Sequence, residues 1–457
     1  MVVVDGTVVT VALPYIKVTF GFSNASVVWI LNSYELPYAG FLLLSGRLGD
    51  MFGHKRLFLT GIAAFTIASL ICAAANSASQ LIAGRVIQGV SAAVVSTVAQ
   101  SLVMTMYVET AERAKSVGIY GFACSCGGVV SLLIGGVLTS AFGWRWIFLI
   151  NAPIGIMVYA LGRALLPDVR QIGKGVRSLD LPGAFAVTAS LMLAAYAILD
   201  GNVAGGNIRR ALQLIGGSAL LGMLFLAIEA RACAPLLPLR ILRNRELATC
   251  CTVGALFSIA QTGLLFTSLY LQLVLGYTPW QVSLAFVPLN VVSAVFALRF
   301  SAYLVVRFGI GPPLIFGLVT AAVGMLLFAR APVHGNIGVD VMPAMLLVGV
   351  GIGLVFNPLA LATMNGATPD EMGVISGIVN TFWSMGGALG LAILAKVSAI
   401  HSDGLLKLGV RPLSALNGGY HYAFAIGAAS SLGAAGIAAF LRHRGLTPVC
   451  ESEAHDS

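Results

Sequence analysis

The sequence predicts an all-α integral membrane protein of about fourteen spanning helices. Three observations predict it. The chain is 58% hydrophobic and only 9% charged, where a soluble domain carries roughly 25% charged residues. Its apolar runs are near 20 residues long without alternation, the length of a bilayer-crossing helix, whereas barrel strands would give short alternating segments. Its Lys and Arg residues gather in short connectors. The net charge of +9 therefore reads as a topology signal and not as a nucleic-acid-binding surface.

Taken in order, the apolar runs place spanning segments near 1–20, 27–46, 57–75, 81–106, 116–140, 146–166, 181–200, 210–230, 247–274, 282–305, 312–330, 342–364, 374–399 and 420–440. The connectors are too short to hold a soluble domain. A faint internal echo divides the set: Asp50-Met51-Phe52-Gly53 follows the second segment, and Val306-Arg307-Phe308-Gly309 follows the tenth. This predicts two pseudo-symmetric six-helix lobes, 1–166 and 247–440, with an inserted two-helix region at 167–246 and a tail at 441–457. With the 46–56 connector in the cytoplasm, Arg47, Lys55, Arg56, Arg113, Lys115, Arg163, Arg240 and Arg307 share that side. The cation excess then makes both termini cytoplasmic in a multi-pass cell-membrane protein. Trp144 and Trp146 flank Arg145 at a predicted outer boundary, where indole rings favour the interface. Segment 1 is short, with Asp5 close behind Met1, which predicts further residues upstream.

The stretch Gly46-Arg47-Leu48-Gly49-Asp50-Met51-Phe52-Gly53-His54-Lys55-Arg56 stands out as a charged, glycine-rich connector between two membrane-length runs. It serves either as a solvated topology anchor or as a gate. In the gate reading Asp50 accepts hydrogen bonds from a neighbouring helix N-terminus, and Gly46, Arg47, Gly53, Lys55 and Arg56 complete the element.

Charges inside the apolar runs are the next signal, because each costs about 2.5–3.5 kcal/mol on insertion scales. Asp5 lies in segment 1, Glu35 in segment 2, Arg85 in segment 4 and Lys396 late in segment 13, where it is placed to snorkel outward. Desolvation drives a carboxylate toward its neutral form, and a nearby guanidinium drives it back. A group under both pulls can take up and release a proton, so Asp5, Glu35 and Arg85 are the candidate coupling residues. The plainer alternatives are a headgroup-solvated Asp5 at a helix mouth, a hydrogen-bonded Glu35 lining a cavity, and Arg85 as a structural hub. Arg85, Gln88, Gly89, Ala92, Ala93 and Ser96 share one small, polar helix face. Gly118, Gly121, Ser125, Gly128, Gly135 and Gly136 make segment 5 a close-packing surface. Gly349, Gly351, Gly353 and the Asn357-Pro358 pair predict a kinked segment 12. Gln261, Gln272, Asn290, Asn357 and Asn380 put amides where the first half has charges, so Gln261, Asn290, Asn357 and Asn380 are candidate substrate-cavity residues.

Other classes find little support. The seven cysteines show no metal-ligand or disulfide spacing, and no metal or cofactor is expected. The histidines (His54, His334, His401, His421, His443 and His455) fall in connectors or tails, which argues against an enzyme. No Gly-x-x-x-x-Gly-Lys-Ser/Thr loop for ATP is present.

Four stretches then carry a resemblance that covers essentially the whole chain. The 46–56 stretch resembles the signature between helices 2 and 3 of the major facilitator superfamily. Arg85-Val86-Ile87-Gln88-Gly89 resembles the helix-4 motif of its fourteen-helix drug:proton antiporter family, whose arginine is implicated in proton transfer. Val4-Asp5-Gly6-Thr7-Val8-Val9-Thr10-Val11-Ala12-Leu13-Pro14 is similar to that family's helix-1 motif. Gly143-Trp144-Arg145-Trp146-Ile147-Phe148-Leu149-Ile150-Asn151-Ala152-Pro153-Ile154-Gly155 also looks like that group. Two positions depart from the pattern. Ser131-Leu132 stand where Gly-Pro precedes the Gly135-Gly136 pair, and Met51 takes a place that is usually basic. The resemblance implies a two-lobed major facilitator fold, working as a monomer by alternating access. It implies export of lipophilic or cationic drugs or antibiotics, energised by the proton gradient. The alternative is a proton-coupled symporter importing a small metabolite.

Overall fold

A computed structural model gives the architecture. It describes residues 1–457 except 24–25, 107–126, 129, 132, 167–180, 200–207, 232–244, 365–371 and 443–457. Side chains are also undescribed at 3, 7, 43, 47, 50, 103–106, 181, 208, 211, 364, 372–374, 376 and 440–442. The described residues are helical with no strand. In chain order the helices are α1 (Val2–Phe20), α2 (Trp29–Phe52), α3 (His54–Ala73), α4 (Ala78–Met106), α5 (Leu133–Phe142), α6 (Trp146–Leu149), α7 (Asn151–Leu165), α8 (Leu181–Leu199) and α9 (Ile208–Arg231). They continue with α10 (Arg245–Leu269), α11 (Pro279–Val295), α12 (Ser301–Phe308), α13 (Gly311–Phe328), α14 (Met342–Met364), α15 (Met372–Lys407) and α16 (Pro412–Arg442). Eleven helical stretches among the described residues are long and apolar enough to cross a membrane. Their bounds fall close to the apolar runs, because in lipid every backbone polar group must be satisfied within the segment.

Helix fills most of 400–419, where α15 runs to Lys407 and α16 starts at Pro412, and a second departure is at 46–56. No ten-residue connector exists there. Helix α2 continues to Phe52, a single residue turns the chain, and α3 begins at His54. Gly53 makes the turn at φ 88°, a left-handed conformation that side-chain-bearing residues avoid. Its N–H donates to the Gly49 carbonyl. The echo region has the same device: α12 ends at Phe308, Gly309 sits at φ 78°, and its N–H donates to the Val305 carbonyl. Gly and charge in the sequence therefore marked a helix end with one hinge residue, and the charges ride on helical turns.

Residue packing groups the chain into two units, Met1–Leu239 with Tyr277–Leu284, and Arg240–Gly276 with Ala285–Ser457. In the first, α4 packs along both α2 and α3, α7 packs on α3, and α8 packs on α2. Gly89 permits the α2–α4 approach: a Cβ there would lie against the Tyr34 backbone, 3.1 Å from its carbonyl carbon and 3.2 Å from its Cα. Helices α8 and α9 are tied by reciprocal bonds, Ser190 Oγ to the Ser218 carbonyl at 2.8 Å and Ser218 Oγ to the Ser190 carbonyl at 3.0 Å.

The second unit has a core of Phe257, Leu318, Val355, Leu359 and Ala435. The glycines of α14 serve two neighbours. A Cβ on Gly349 would stand 2.6 Å from the Leu289 carbonyl of α11, and one on Gly351 would stand 2.7 Å from the Gly317 carbonyl of α13. Wider five-residue turns join α11 to α12 at Phe296–Phe300 and open α14 at Ile337–Val341.

One prediction follows from the α2–α4 contact. Gly89→Val is expected to lower stability by about 1–3 kcal/mol, the usual cost of overpacking, because the obstructing atoms are backbone. Gly216→Ala on α9, which has open space around it, should stay near wild type. Thermal unfolding of the purified variants in detergent, followed by tryptophan fluorescence, checks both.

Candidate functional site

Asp5 and Arg85 meet. Asp5 sits in the first turns of α1, and Arg85 lies on α4; both are fully buried. Arg85 Nη1 donates to Asp5 Oδ2 in a direct ion pair. Neither charge is tolerable alone at this depth, since an isolated ion in a low-dielectric interior costs far more than a paired one. The headgroup-solvated alternative for Asp5 is therefore excluded by its burial.

Side chains from α3, α4 and α7 complete the cage. Asn151 Nδ2, at the start of α7, donates to Asp5 Oδ1 at 2.7 Å, and Gln88 Nε2 donates to the same oxygen at 3.2 Å. Gln88 lies one turn beyond Arg85, and its Oε1 accepts from Arg85 Nη1 at 2.9 Å. That spacing of three residues places both side chains on one helix face. Gln88 Nε2 also donates to Ser69 Oγ at 2.7 Å, and the Cys72 thiol donates to Gln88 Oε1 at 3.5 Å. Arg85 Nε donates to the Ile30 carbonyl of α2 at 3.2 Å. The guanidinium carbon lies 4.3 Å from the Tyr34 ring centroid and 5.8 Å from that of Phe148, within cation–π range. Asn151 stands where it does because α6 and α7 break at Ile150, and Pro153 lacks the N–H that would continue the ladder to the Leu149 carbonyl.

Glu35 is half-buried on α2, with no hydrogen-bond partner among the described residues. A Cβ on Gly6 would stand 3.9 Å from its Oε1, so its carboxyl faces α1 one residue beyond Asp5. The candidate coupling residues thus occupy one neighbourhood. Asn151, Ser69, Cys72 and Tyr34 were not foreseen among them. Asn151 lies inside the Gly143–Gly155 stretch that carried a resemblance, and an amide opening a helix before a proline was the available signal.

The helix 2–3 residues scatter more. The side chains of Arg47 and Asp50 lie outside the described residues, so the Asp50 contact is not described. Lys55 Nζ donates to the Leu166 carbonyl at 2.5 Å. It thereby caps the C-terminus of α7, the end of a helix that favours cations. Arg56 is exposed and His54 buried. A Cβ on Gly46 would meet Thr97 of α4 at 3.3 Å. In the α5 region, Gly118, Gly121 and Ser125 lie outside the described residues. Gly128 is in open space, Gly135 closes on Val8, and a Cβ on Gly136 would stand 2.8 Å from the Pro279 carbonyl of the same unit.

The amides of the second unit are partly committed elsewhere. Asn357 Nδ2 donates to the Ala297 carbonyl at 2.7 Å, inside the widened turn where helix bonding is irregular. Asn290 Nδ2 donates to the Phe286 carbonyl of its own helix at 2.9 Å. Gln261 is half-buried and Asn380 is exposed. Lys396 lies half-buried within α15. Among the described residues no His, Cys, Asp and Glu cluster is arranged to hold a metal.

The chain matches known proteins along most of its length. The chain is 36% identical over 436 residues to the puromycin resistance protein pur8 of Streptomyces alboniger, covering 93% of this chain and 86% of that protein. It is 38% identical over 412 residues to the cephamycin export protein CmcT of Amycolatopsis lactamdurans, covering 88% and 84%. Among solved structures, a bacterial homologue of the human lysosomal transporter Spinster superposes with a TM-score of 0.68 at 18% identity, covering 97% of this chain and 94% of that one, which shows a shared fold. A family model described as the Major Facilitator Superfamily matches residues 1–391, and the chain belongs to that superfamily of multi-pass membrane transporters.

Proposed function

We propose that the chain is a proton-coupled exporter of lipophilic or cationic antibiotics across the cytoplasmic membrane, working by alternating access. The observation that carries the proposal is the fully buried Asp5–Arg85 pair. Relatives named for puromycin resistance and cephamycin export support the direction. The eleven apolar stretches, with α1, α2 and α5, support a count of fourteen spans. The matching glycine hinges at Gly53 and Gly309 support two six-helix lobes, 1–166 and 247–440, with 167–246 inserted and 441–457 as a tail. The excess of cations on one side supports cytoplasmic termini. The carrier works as a monomer and needs no bound cofactor.

In this reading Asp5 is ionised while Arg85 holds it. A proton arriving on Asp5 removes the charge that Arg85 neutralises, so the cage loses its main attraction and the helices that contribute to it can separate. Glu35, beside Gly6, is the relay between Asp5 and the cavity. One proton falling through 100 mV releases about 2.3 kcal/mol, enough to concentrate a substrate roughly 50-fold at tenfold per 1.4 kcal/mol. Gln261 and Asn380 are the cavity amides left free to meet substrate, and Asn290 and Asn357 shape the walls. The helix 2–3 residues Arg47 and Asp50 latch the cytoplasmic side.

An importing symporter is the second reading. Ser131, which stands where the antiporter pattern has Gly, bonds the Gly128 carbonyl at 2.7 Å and so ties the helix locally. Flux direction separates the two. Everted vesicles acidified inside should accumulate a lipophilic cationic dye. Asp5→Asn and Arg85→Ala are each expected to cut that accumulation about tenfold or more, a loss of at least 1.4 kcal/mol of coupling. Accumulation that ignores both substitutions contradicts the coupling assignment, and proton-driven movement in the opposite direction favours the symporter.

Asp50→Asn, in correctly inserted protein, should slow transport about tenfold, because a hydrogen bond to a charged group contributes about 1.5–3 kcal/mol. Transport rates measured in the same vesicles check this. An unchanged rate returns the 46–56 stretch to a topology anchor.

A further inference from the structure

The cage around Asp5 raises a chemical difficulty. Every partner of its carboxylate is a donor: Arg85 Nη1 on Oδ2, and Asn151 Nδ2 and Gln88 Nε2 on Oδ1. That set suits an anion. A neutral carboxyl carries an O–H that must itself find an acceptor, and a buried donor left without one is costly. If Asp5 carries the proton, as the reading above requires, one partner must change from donor to acceptor.

Only one can do so cheaply. Arg85 has five donors and no acceptor. Gln88 has both, but its amide is held at both ends. Its Oε1 accepts from Arg85 and Cys72, and its Nε2 donates to Ser69 as well as to Asp5. Turning it over breaks all four contacts. Asn151 is different. Its Nδ2 donates to Asp5 alone, and its Oδ1 is buried with no hydrogen-bond partner among the described residues. A half-turn about its terminal torsion, which is broad and roughly two-fold, exchanges donor for acceptor and breaks no other bond.

We propose that Asn151 is the positioning residue that accommodates both protonation states of Asp5. Its Nδ2 donates to the ionised carboxylate. Its Oδ1, after the half-turn, accepts from the neutral carboxyl. When a proton binds Asp5, Asn151 turns over, and the unpaired donor passes from the carboxyl to Nδ2, which then points to where Oδ1 stood. When the proton leaves, the amide turns back. No covalent bond other than the O–H of the carboxyl is made or broken. Gln88 meanwhile stays fixed and keeps Arg85 in register with Ser69 and Cys72.

The role makes a spectroscopic demand that a purely structural asparagine would not. Full-length protein in lipid vesicles is examined by infrared difference spectroscopy across a pH jump. The wild type should show a neutral-carboxyl C=O band that is absent in Asp5→Asn. It should also show a side-chain amide C=O band displaced to lower frequency, absent in Asn151→Leu. A carboxyl band that appears with no Asn151-dependent amide change overturns this proposal and leaves Asp5 as the proton carrier. Absence of the Asp5 band overturns both. Transport supplies the second arm. Asn151→Ser, whose hydroxyl both donates and accepts, should keep most of the proton-driven dye accumulation, while Asn151→Leu should lose about tenfold, equivalent to about 1.4 kcal/mol. Equal loss in the two variants, with both correctly folded by size-exclusion chromatography, also overturns the proposal.

Discussion

A carboxylate and a guanidinium buried together in a membrane protein constrain everything around them. Neither Asp5 nor Arg85 can be exposed to lipid, and neither can be left alone. The structure answers with groups from five helices. Asp5 comes from α1, the Ile30 carbonyl and the Tyr34 ring from α2, Ser69 and Cys72 from α3, Arg85 and Gln88 from α4, and Asn151 from α7. The pair therefore joins most of the first unit's helices at one point. Its attraction is also a condition on that joint, because a change of charge on Asp5 alters contacts to every helix that contributes.

Backbone geometry makes the joint possible. Arg85 Nε reaches a main-chain carbonyl on α2 because Gly89, one turn further along α4, has no side chain to hold the helices apart. Close approach through small residues takes the place in membranes that apolar burial takes in water. The single-residue hinge at Gly53 works at longer range. It lets α2 turn directly into α3, and the neighbouring Lys55 fastens α3 to the end of α7. The helix that presents Asn151 is thus anchored at its other end by a residue of the helix 2–3 stretch.

Much of this was legible before any coordinates. The helices were readable because a bilayer demands about 20 apolar residues per crossing. Asp5, Arg85 and Gln88 were readable because charge and amide are conspicuous in apolar runs, and because spacing alone puts 85 and 88 on one face. Asn151 was not singled out, since an uncharged amide near a helix start has many ordinary uses and its partner lies 146 residues away. The 46–56 stretch was read as a connector, since Gly and charge mark loops and helix ends alike and only φ at Gly53 distinguishes them. The bond from Asn357 to the Ala297 carbonyl has no sequence signature, because the widened turn that leaves that carbonyl in need of a donor has none.

The central claim is that Asp5 carries the proton that is exchanged for substrate. It is tested most directly by proton release on substrate binding. Purified protein in weakly buffered detergent solution, carrying a pH-sensitive dye, is mixed with a lipophilic cationic substrate across a series of starting pH values. The account predicts that the wild type releases protons as substrate binds and that Asp5→Asn binds substrate and releases none. Equal proton release by the two proteins would contradict it.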